Sequence, residues 1–215
     1  MGLAEARRSS DGDTTLRIGA VVLAAGASSR MGRNKMLLEV DGVPMVRRTV
    51  RRVINAGVTR TVVVLGHEAD RVRGALDDVP CEFAESPDFT GPTSGSLHAG
   101  LGALAAHGTQ PVDAALVMLG DMVHVTEHML GTIVDAARES HAPLVVSRYG
   151  KDDKQVLAPP LLFRRALWPE LLAWHGEGCG KAVVMAHRRE ALMVDWPSAA
   201  LQDIDTPADY EALTR

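Results

Sequence analysis

The sequence predicts an α/β fold: a three-layer α/β/α sandwich with helices on both faces of a mainly parallel, mixed sheet. Three observations predict it. From residue 18 onward, short apolar runs alternate with amphipathic stretches of helical spacing. Runs such as Ile18–Ala24 and Ala114–Leu119 are apolar throughout, as buried strands are. The chain has 215 residues, enough for one domain with a substantial core, and shows no internal repeat or linker. Residues 17–215 are therefore expected to form a single domain.

The elements follow in order. Residues 1–16 are polar and turn-rich. They are expected to be a disordered tail and not a targeting peptide, because Arg7-Arg8 precedes no separate apolar segment. Ile18–Ala24 is the first strand, and Met36–Val40 is a short extended piece closed by the Asp41-Gly42 turn. Pro44 suits the first turn of a helix running to about Ala56 and stopped by Gly57. Its apolar positions Met45, Val46, Thr49, Val50, Val53 and Ile54 share one face, which leaves Arg47-Arg48 and Arg51-Arg52 on a solvated one. Thr61–Leu65 and Cys81–Ala84 read as strands flanking a helix from about Glu68 to Leu76. The Ser86–Gly95 loop then feeds a helix over Ser96–Ala106. Strand Ala114–Leu119, helix Glu127–Arg138 and strand Leu144–Ser147 precede a charged loop, Lys151-Asp152-Asp153-Lys154. The last third is less regular, with helices expected at Ala166–Trp174, Gly180–Arg188 and Pro207–Leu213.

Composition excludes several functions. The 23 Lys+Arg against 27 Asp+Glu give a net charge near −4, whereas binding to nucleic acid or an anionic membrane usually needs a basic surplus. No apolar stretch approaches the roughly 20 residues of a membrane helix. Cys81 and Cys179 lie far apart in no metal-binding pattern, which fits a reducing, cytoplasmic setting.

The segment Val21–Lys35 carries the clearest chemistry. An apolar strand runs through Leu23-Ala24-Ala25-Gly26 into a loop of small residues with fixed positive charge at Arg30 and Lys35. Small residues let a polyphosphate lie against backbone N–H groups, and the two cations can neutralise it. The run is neither GxGxxG nor GxxxxGK[ST]. Asp121, after Gly120 at the end of a buried strand, is placed either to hold Mg²⁺ or to cap the next element. In Gly91–Gly100, the hydroxyls of Ser94 and Ser96 with free N–H groups can bind an anion or read a base edge. A capped helix after a loop is the plainer reading. His124-Val125-Thr126-Glu127-His128 formally matches a zinc peptidase pattern, but Thr126 reads as an N-cap that leaves His124 outside the helix. Cys179 has no evident histidine partner, so no thiol nucleophile is expected.

The Leu23–Lys35 run resembles the signature LAAGxSxRMGxxK of the MobA-like nucleotidyltransferases that activate the molybdenum cofactor, and within them the cytidylyltransferases. The resemblance extends from about Ile18 to Leu213 and implies a Rossmann-like nucleotidyltransferase fold. It implies transfer of CMP from CTP to the terminal phosphate of molybdopterin or its molybdenum-loaded form, with Mg²⁺ and release of pyrophosphate. It also implies nucleotide contacts by Leu23, Ala24, Ala25, Gly26, Arg30, Lys35, Ser94 and Ser96, with Arg30, Lys35 and Asp121 at the chemistry. Gly120-Asp121-Met122-Val123 matches the family's GDMP metal motif without its proline. Leu201–Tyr210 resembles DIDTPEDY, which implies that Asp205 or Asp203 joins Asp121 on the metal. Alternation along an extended segment lets only one of them do so, and Asp205 is preferred.

Other positions depart from the family. His98 stands for an arginine in SSLRAGL, Ala158-Pro159 for a His-Pro motif, and Lys181 for the arginine of a substrate-binding GDxGAR run. The implied partners are CTP or another NTP, a phosphorylated pterin acceptor, and a molybdenum hydroxylase client. Two further readings are a transferase using GTP or another small phosphate, and a non-enzymatic chaperone for the molybdenum cofactor.

Overall fold

The structure is a computed structural model that describes residues 16–28, 31–106, 111–151, 154–202, 204 and 206–213. The tail read over residues 1–16 lies, up to residue 15, outside the described residues. β1 (Ile18–Leu23) is buried along its whole length, as its unbroken apolar run requires. A 3₁₀ turn at Lys35–Leu37 replaces the start of the expected extended piece. β2 (Glu39–Val40) and β3 (Val43–Pro44) then form a small hairpin. Its turn residues Asp41 and Gly42 both have positive φ, 52° and 72°, as a two-residue hairpin loop of matching twist demands. Pro44 lies in β3, and α1 (Met45–Asn55) begins one residue later.

β4 (Arg60–Leu65), α2 (Ala69–Gly74), β5 (Glu82–Glu85), α3 (Thr93–Ala106), β6 (Ala114–Leu119), α4 (Glu127–Glu139) and β7 (Leu144–Tyr149) follow, close to expectation. α3 starts at Thr93, three residues before the expected Ser96, so the whole Ser94-Gly95-Ser96 run is helix and not loop. β8 (Val156–Arg164), α5 (Trp168–Ala173), α6 (Cys179–Ala186), β9 (Leu192–Trp196) and α7 (Pro207–Leu213) complete the chain.

The main sheet has the order β5-β4-β1-β6-β8-β7-β9 among the described residues. Val21 aligns with Val62 of β4 and Val117 of β6, both in parallel register. β8 alone runs against its neighbours, pairing antiparallel with β6 and β7, while β9 returns parallel to β7. The mixed sheet is as expected, but neither β8 nor β9 is expected as a strand. Pro159-Pro160 hides β8, because proline cannot donate to a ladder. The strand tolerates them through a register shift between Val146 and Arg148. There, the Ser147 hydroxyl donates to Pro160 O (2.8 Å) and the Tyr149 hydroxyl to Pro159 O (2.7 Å). β9 is a half-exposed edge strand whose Asp195 pairs with Arg148.

Side chains alternate across the sheet and build two cores. On one face Ala20, Val22, Val63, Leu65 and Leu116 pack on α1, α2 and α4. On the other, Val21, Leu23, Val62, Val64 and Val117 pack on α3, α5 and α6. These are the three layers. A third cluster joins Met31, Leu38, Met45, Val123 and Ile204 to Tyr210 and Leu213 of α7, which draws the C-terminal segment to the loops after β1 and β6. Among the described residues no helix is long and apolar enough to cross a membrane.

Candidate active site

The carboxyl ends of β1, β4 and β6 lie side by side, the place where open α/β sheets bind ligands. Their backbones are stitched together beyond the strands. The Ala24 amide donates to Val64 O (3.0 Å), the Gly120 amide to Leu23 O (2.9 Å) and the His67 amide to Ala25 O (3.0 Å). Ala24 is fully buried, so its contribution is to the sheet edge. From Gly26 the loop turns sharply, with Ser28 at φ 52°. The Ser28 hydroxyl accepts from the Lys35 amide (3.1 Å), and its carbonyl from the Met31 amide (2.9 Å).

Asn34 was not singled out in the sequence, yet it locks this loop. Its side chain is buried, accepts from the Met36 amide (3.0 Å) and donates to His67 O (3.1 Å). An asparagine just ahead of a short helical turn is the available sequence signal for such a cap.

The folded-back loop sends Lys35 to Asp121. Lys35 Nζ lies 2.6 Å from Asp121 Oδ2, with the two side chains only 16% and 18% exposed. Asp121 follows Gly120, where an added Cβ would stand 2.8 Å from Met36 Sδ. It does not cap α4. That role belongs to Thr126, whose hydroxyl accepts from the Met129 amide (3.2 Å). His124 therefore precedes the helix that carries Glu127 and His128, and the zinc peptidase geometry is not formed. Arg30, Asp203 and Asp205 lie outside the described residues.

The arginines of α1 do not form a merely solvated face. Arg47 pairs with Asp77 and Asp78, and Arg48 donates to Val40 O (2.8 Å) and Asp41 (2.7 Å). Arg52 reaches the turn behind Asp121, donating to Val123 O (2.6 Å) and Val125 O (3.0 Å). Burial, aided by the charge of Arg48, lowers the Arg52 pKa from its ordinary value.

A cavity of about 230 Å³ opens onto the Lys35–Asp121 pair. Leu23, Ala25, Gly26 and Ser28 line it from the strand ends, and Phe89, Thr93 and Ser96 from the loop after β5 and the start of α3. The Ser96 hydroxyl also donates to Ser86 Oγ (3.0 Å). Ser94 is turned elsewhere: it is buried, and its hydroxyl accepts from the Gly176 amide (3.1 Å). His98 bonds Leu171 O (2.8 Å) and so joins α3 to α5. A second, more apolar cavity of about 290 Å³ shares Leu23, Thr93 and Leu119 with the first. Its other walls include Ala158, Pro159, Gly178 and Lys181. The two cavities are thus neighbours along one edge of the sheet.

Phe89 was also missed, and a lone aromatic in a polar loop was its signal. Its loop is stiff: Asp88 Oδ1 accepts from the Thr90 hydroxyl (2.7 Å) and from the amides of Thr90 and Gly91 (3.0 Å each). These bonds, the Thr90 hydroxyl first, hold the Asp88 carboxyl below its ordinary pKa. Beneath the loop, Gly66 permits close approach, since a Cβ there would meet Phe89 Cβ at 2.5 Å and Ala25 O at 2.6 Å.

The loop after β1 thus sets a lysine against an aspartate at the tip of β6 over one cavity. The chain belongs to the family described as MobA-like NTP transferase domain, which residues 20–191 match. Among solved structures it is similar to Rv0371c from Mycobacterium tuberculosis H37Rv (26% identity, TM-score 0.78), covering 94% of this chain and 99% of that one. A complex of that protein with manganese gives 25% identity and a TM-score of 0.72 over 92% and 98% of the two chains. A nucleotidyl transferase from Methanothermobacter thermautotroptrophicus, Mth528, is 27% identical with a TM-score of 0.74, covering 92% of this chain and 96% of that one. The bifunctional protein GlmU of Anaeromyxobacter dehalogenans is 34% identical over 135 residues, 60% of this chain. The match spans only 27% of that relative's length.

Proposed function

We propose that this protein transfers CMP from CTP to the terminal phosphate of a phosphorylated pterin, molybdopterin or its molybdenum-loaded form, and releases pyrophosphate. The observation that carries the reading is the Lys35–Asp121 pair at 2.6 Å, in a cavity floored by the small-residue loop after β1. The resemblance of the Leu23–Lys35 run supports the choice of CTP and pterin.

The residues present fit a divalent cation. Asp121 offers a partly exposed carboxylate at a strand tip, beside Gly120 and already facing a positive charge. Magnesium favours such a site, with one or two carboxylates completed by phosphate oxygens and water. The manganese complex of the similar mycobacterial protein supports a divalent metal in this fold. Asp121 would hold the ion, with Asp205 or Asp203 as its second carboxylate. When bound, the ion would supply neutralisation of phosphate charge at the reacting centre.

The remaining chemistry belongs to the chain. The Gly26–Ser28 backbone lies along the triphosphate, and Lys35, with Arg30, neutralises charge that grows on the departing pyrophosphate. An acceptor phosphate oxygen attacks the α-phosphorus, a new P–O bond forms and the bond to the β-phosphate breaks. That phosphate is already ionised at neutral pH, so no side-chain nucleophile is needed and positioning supplies most of the rate. The neighbouring cavity, with Lys181 in its wall, seats the acceptor. A molybdenum hydroxylase is the client this product would serve, and the two dispersed cysteines support a reducing cytoplasm as the setting.

The test is pyrophosphate release from CTP, molybdopterin and Mg²⁺, with each of the other three nucleotides in parallel. Equimolar pyrophosphate and cytidylated pterin are expected. Preferred consumption of GTP would replace the nucleotide, and pterin binding with no nucleotide consumed would replace the enzyme by a carrier.

A further inference from the structure

We propose that the Phe89 ring is the platform on which the nucleobase of the bound triphosphate stacks. The inference rests on the nucleotidyl-transfer reading above and deepens it by assigning the grip on the base.

Lys35 and Asp121 occupy the polar part of the 230 Å³ cavity, where phosphates and metal belong. The rest of its wall mixes the hydroxyls of Ser28, Thr93 and Ser96 with apolar surface from Leu23, Ala25, Met36, Leu119 and Phe89, and Phe89 is the aromatic side chain among the described lining residues. A heterocyclic base has two polarisable faces that gain from an aromatic surface and little from aliphatic edges. Phe89 is 39% exposed although hydrogen bonds hold its loop. It does not owe that exposure to slack. Asp88 clamps the residues after it, Gly66 lets its backbone sit against the strand ends, and the His67 ring supports it at 5.9 Å with a 46° tilt. A ring fixed in place before the ligand arrives loses little freedom on binding. Stacking also tolerates any base, because each has a π face. Phe89 therefore sets affinity, and discrimination between bases falls to groups at the base edge, where Thr93 and Ser96 line the same cavity.

The experiment measures binding of the four nucleoside triphosphates and of ribose 5-triphosphate, which lacks a base, by calorimetry with Mn²⁺ on the full chain. The proteins are the native form, Phe89→Ala, Phe89→Leu and Phe89→Trp. The expected result is an affinity loss of about 5- to 100-fold for the preferred nucleotide in Phe89→Ala. The loss should be smaller in Phe89→Leu, and Phe89→Trp should bind at least as tightly as the native protein. Ribose 5-triphosphate should change by less than about twofold throughout, because it offers nothing to stack. Equal losses for both kinds of ligand would make Phe89 a structural loop residue and overturn the proposal. So would nucleotide binding that is indifferent to all three substitutions. Failure of the native protein to bind any triphosphate would instead remove the transferase reading itself, and the platform with it.

Discussion

Lys35 and Asp121 stand 86 positions apart in the chain, yet their charged groups meet at 2.6 Å across the carboxyl edge of the sheet. The loop after β1 delivers the cation and the tip of β6 the anion, so the pair measures whether two independent segments are correctly folded against each other. In a partly buried setting such a pair is worth more than at the surface, and it is also poised to open when a phosphate competes for the ammonium.

Replacing Asp121 with Asn is expected to lower nucleotidyl transfer about 100-fold or more and also to lower the melting temperature, because the partly buried Lys35 ammonium loses its anionic partner, while the fold is kept. The amide keeps the shape but loses the charge that a metal requires. Lys35→Met should weaken triphosphate binding as well as turnover, and the double variant should lose less than the product of the two single losses, because the pair acts together. Pyrophosphate release and thermal melts read both effects. Full activity in Asp121→Asn would remove this carboxylate from the chemistry.

Arg52 is a positioning residue. Its guanidinium holds the Val123 and Val125 carbonyls, which fix the turn directly behind Asp121. Arg52→Ala leaves both acceptors short of a donor and is expected to cost about 1–3 kcal/mol of stability. It should depress kcat with little change in KM for the nucleotide, because the triphosphate loop is untouched. Arg52→Lys should recover most of kcat, since a single guanidinium nitrogen makes both bonds and one ammonium can donate to both carbonyls. A purely structural role would lower stability without the kcat–KM split.

His187 gives a pH-dependent contribution to stability. Its imidazole contacts Glu170 at 2.9 Å and Glu190 at 3.4 Å, tying the end of α6 to α5. The bond to Glu170 chiefly raises its pKa above the ordinary histidine value of 6.5. A raised folded-state value means the stabilisation is fully present below the unfolded value and disappears as pH rises through the folded one. The difference in melting temperature between the native protein and His187→Gln should therefore be largest below the ordinary histidine value of about 6.5 and shrink as the pH rises above it. A difference independent of pH would show that packing, not protonation, makes the contact.

Much of this was legible in the chain. A continuous apolar run ending in Leu23-Ala24-Ala25-Gly26 announces a buried strand opening into a loop, and Ala114–Leu119 before Gly120-Asp121 marks its partner strand by the same logic. What stayed hidden depended on distant partners. Helical periodicity places Arg52 on the face away from the apolar stripe, but it cannot show that the chain returns 71 residues later with two carbonyls to meet it. Ser94 looks like an open hydroxyl until the glycine loop around Gly176 arrives to use it. Pro159-Pro160 reads as a break because the side chains that satisfy its carbonyls, Ser147 and Tyr149, belong to another strand.

The backward course of β8 has a consequence for how acceptor preference can evolve. A reversed strand presents its opening residues, Leu157, Ala158 and Pro159, at the border where its neighbours finish, with Leu157 paired to Arg148 and the Pro159 carbonyl held by the Tyr149 hydroxyl, so strand backbone lines the second cavity. Exchanging a side chain there would reshape the second cavity without touching the strands that furnish the Lys35–Asp121 end. On the proposed reaction, the donor half could stay constant as the recipient half diversifies.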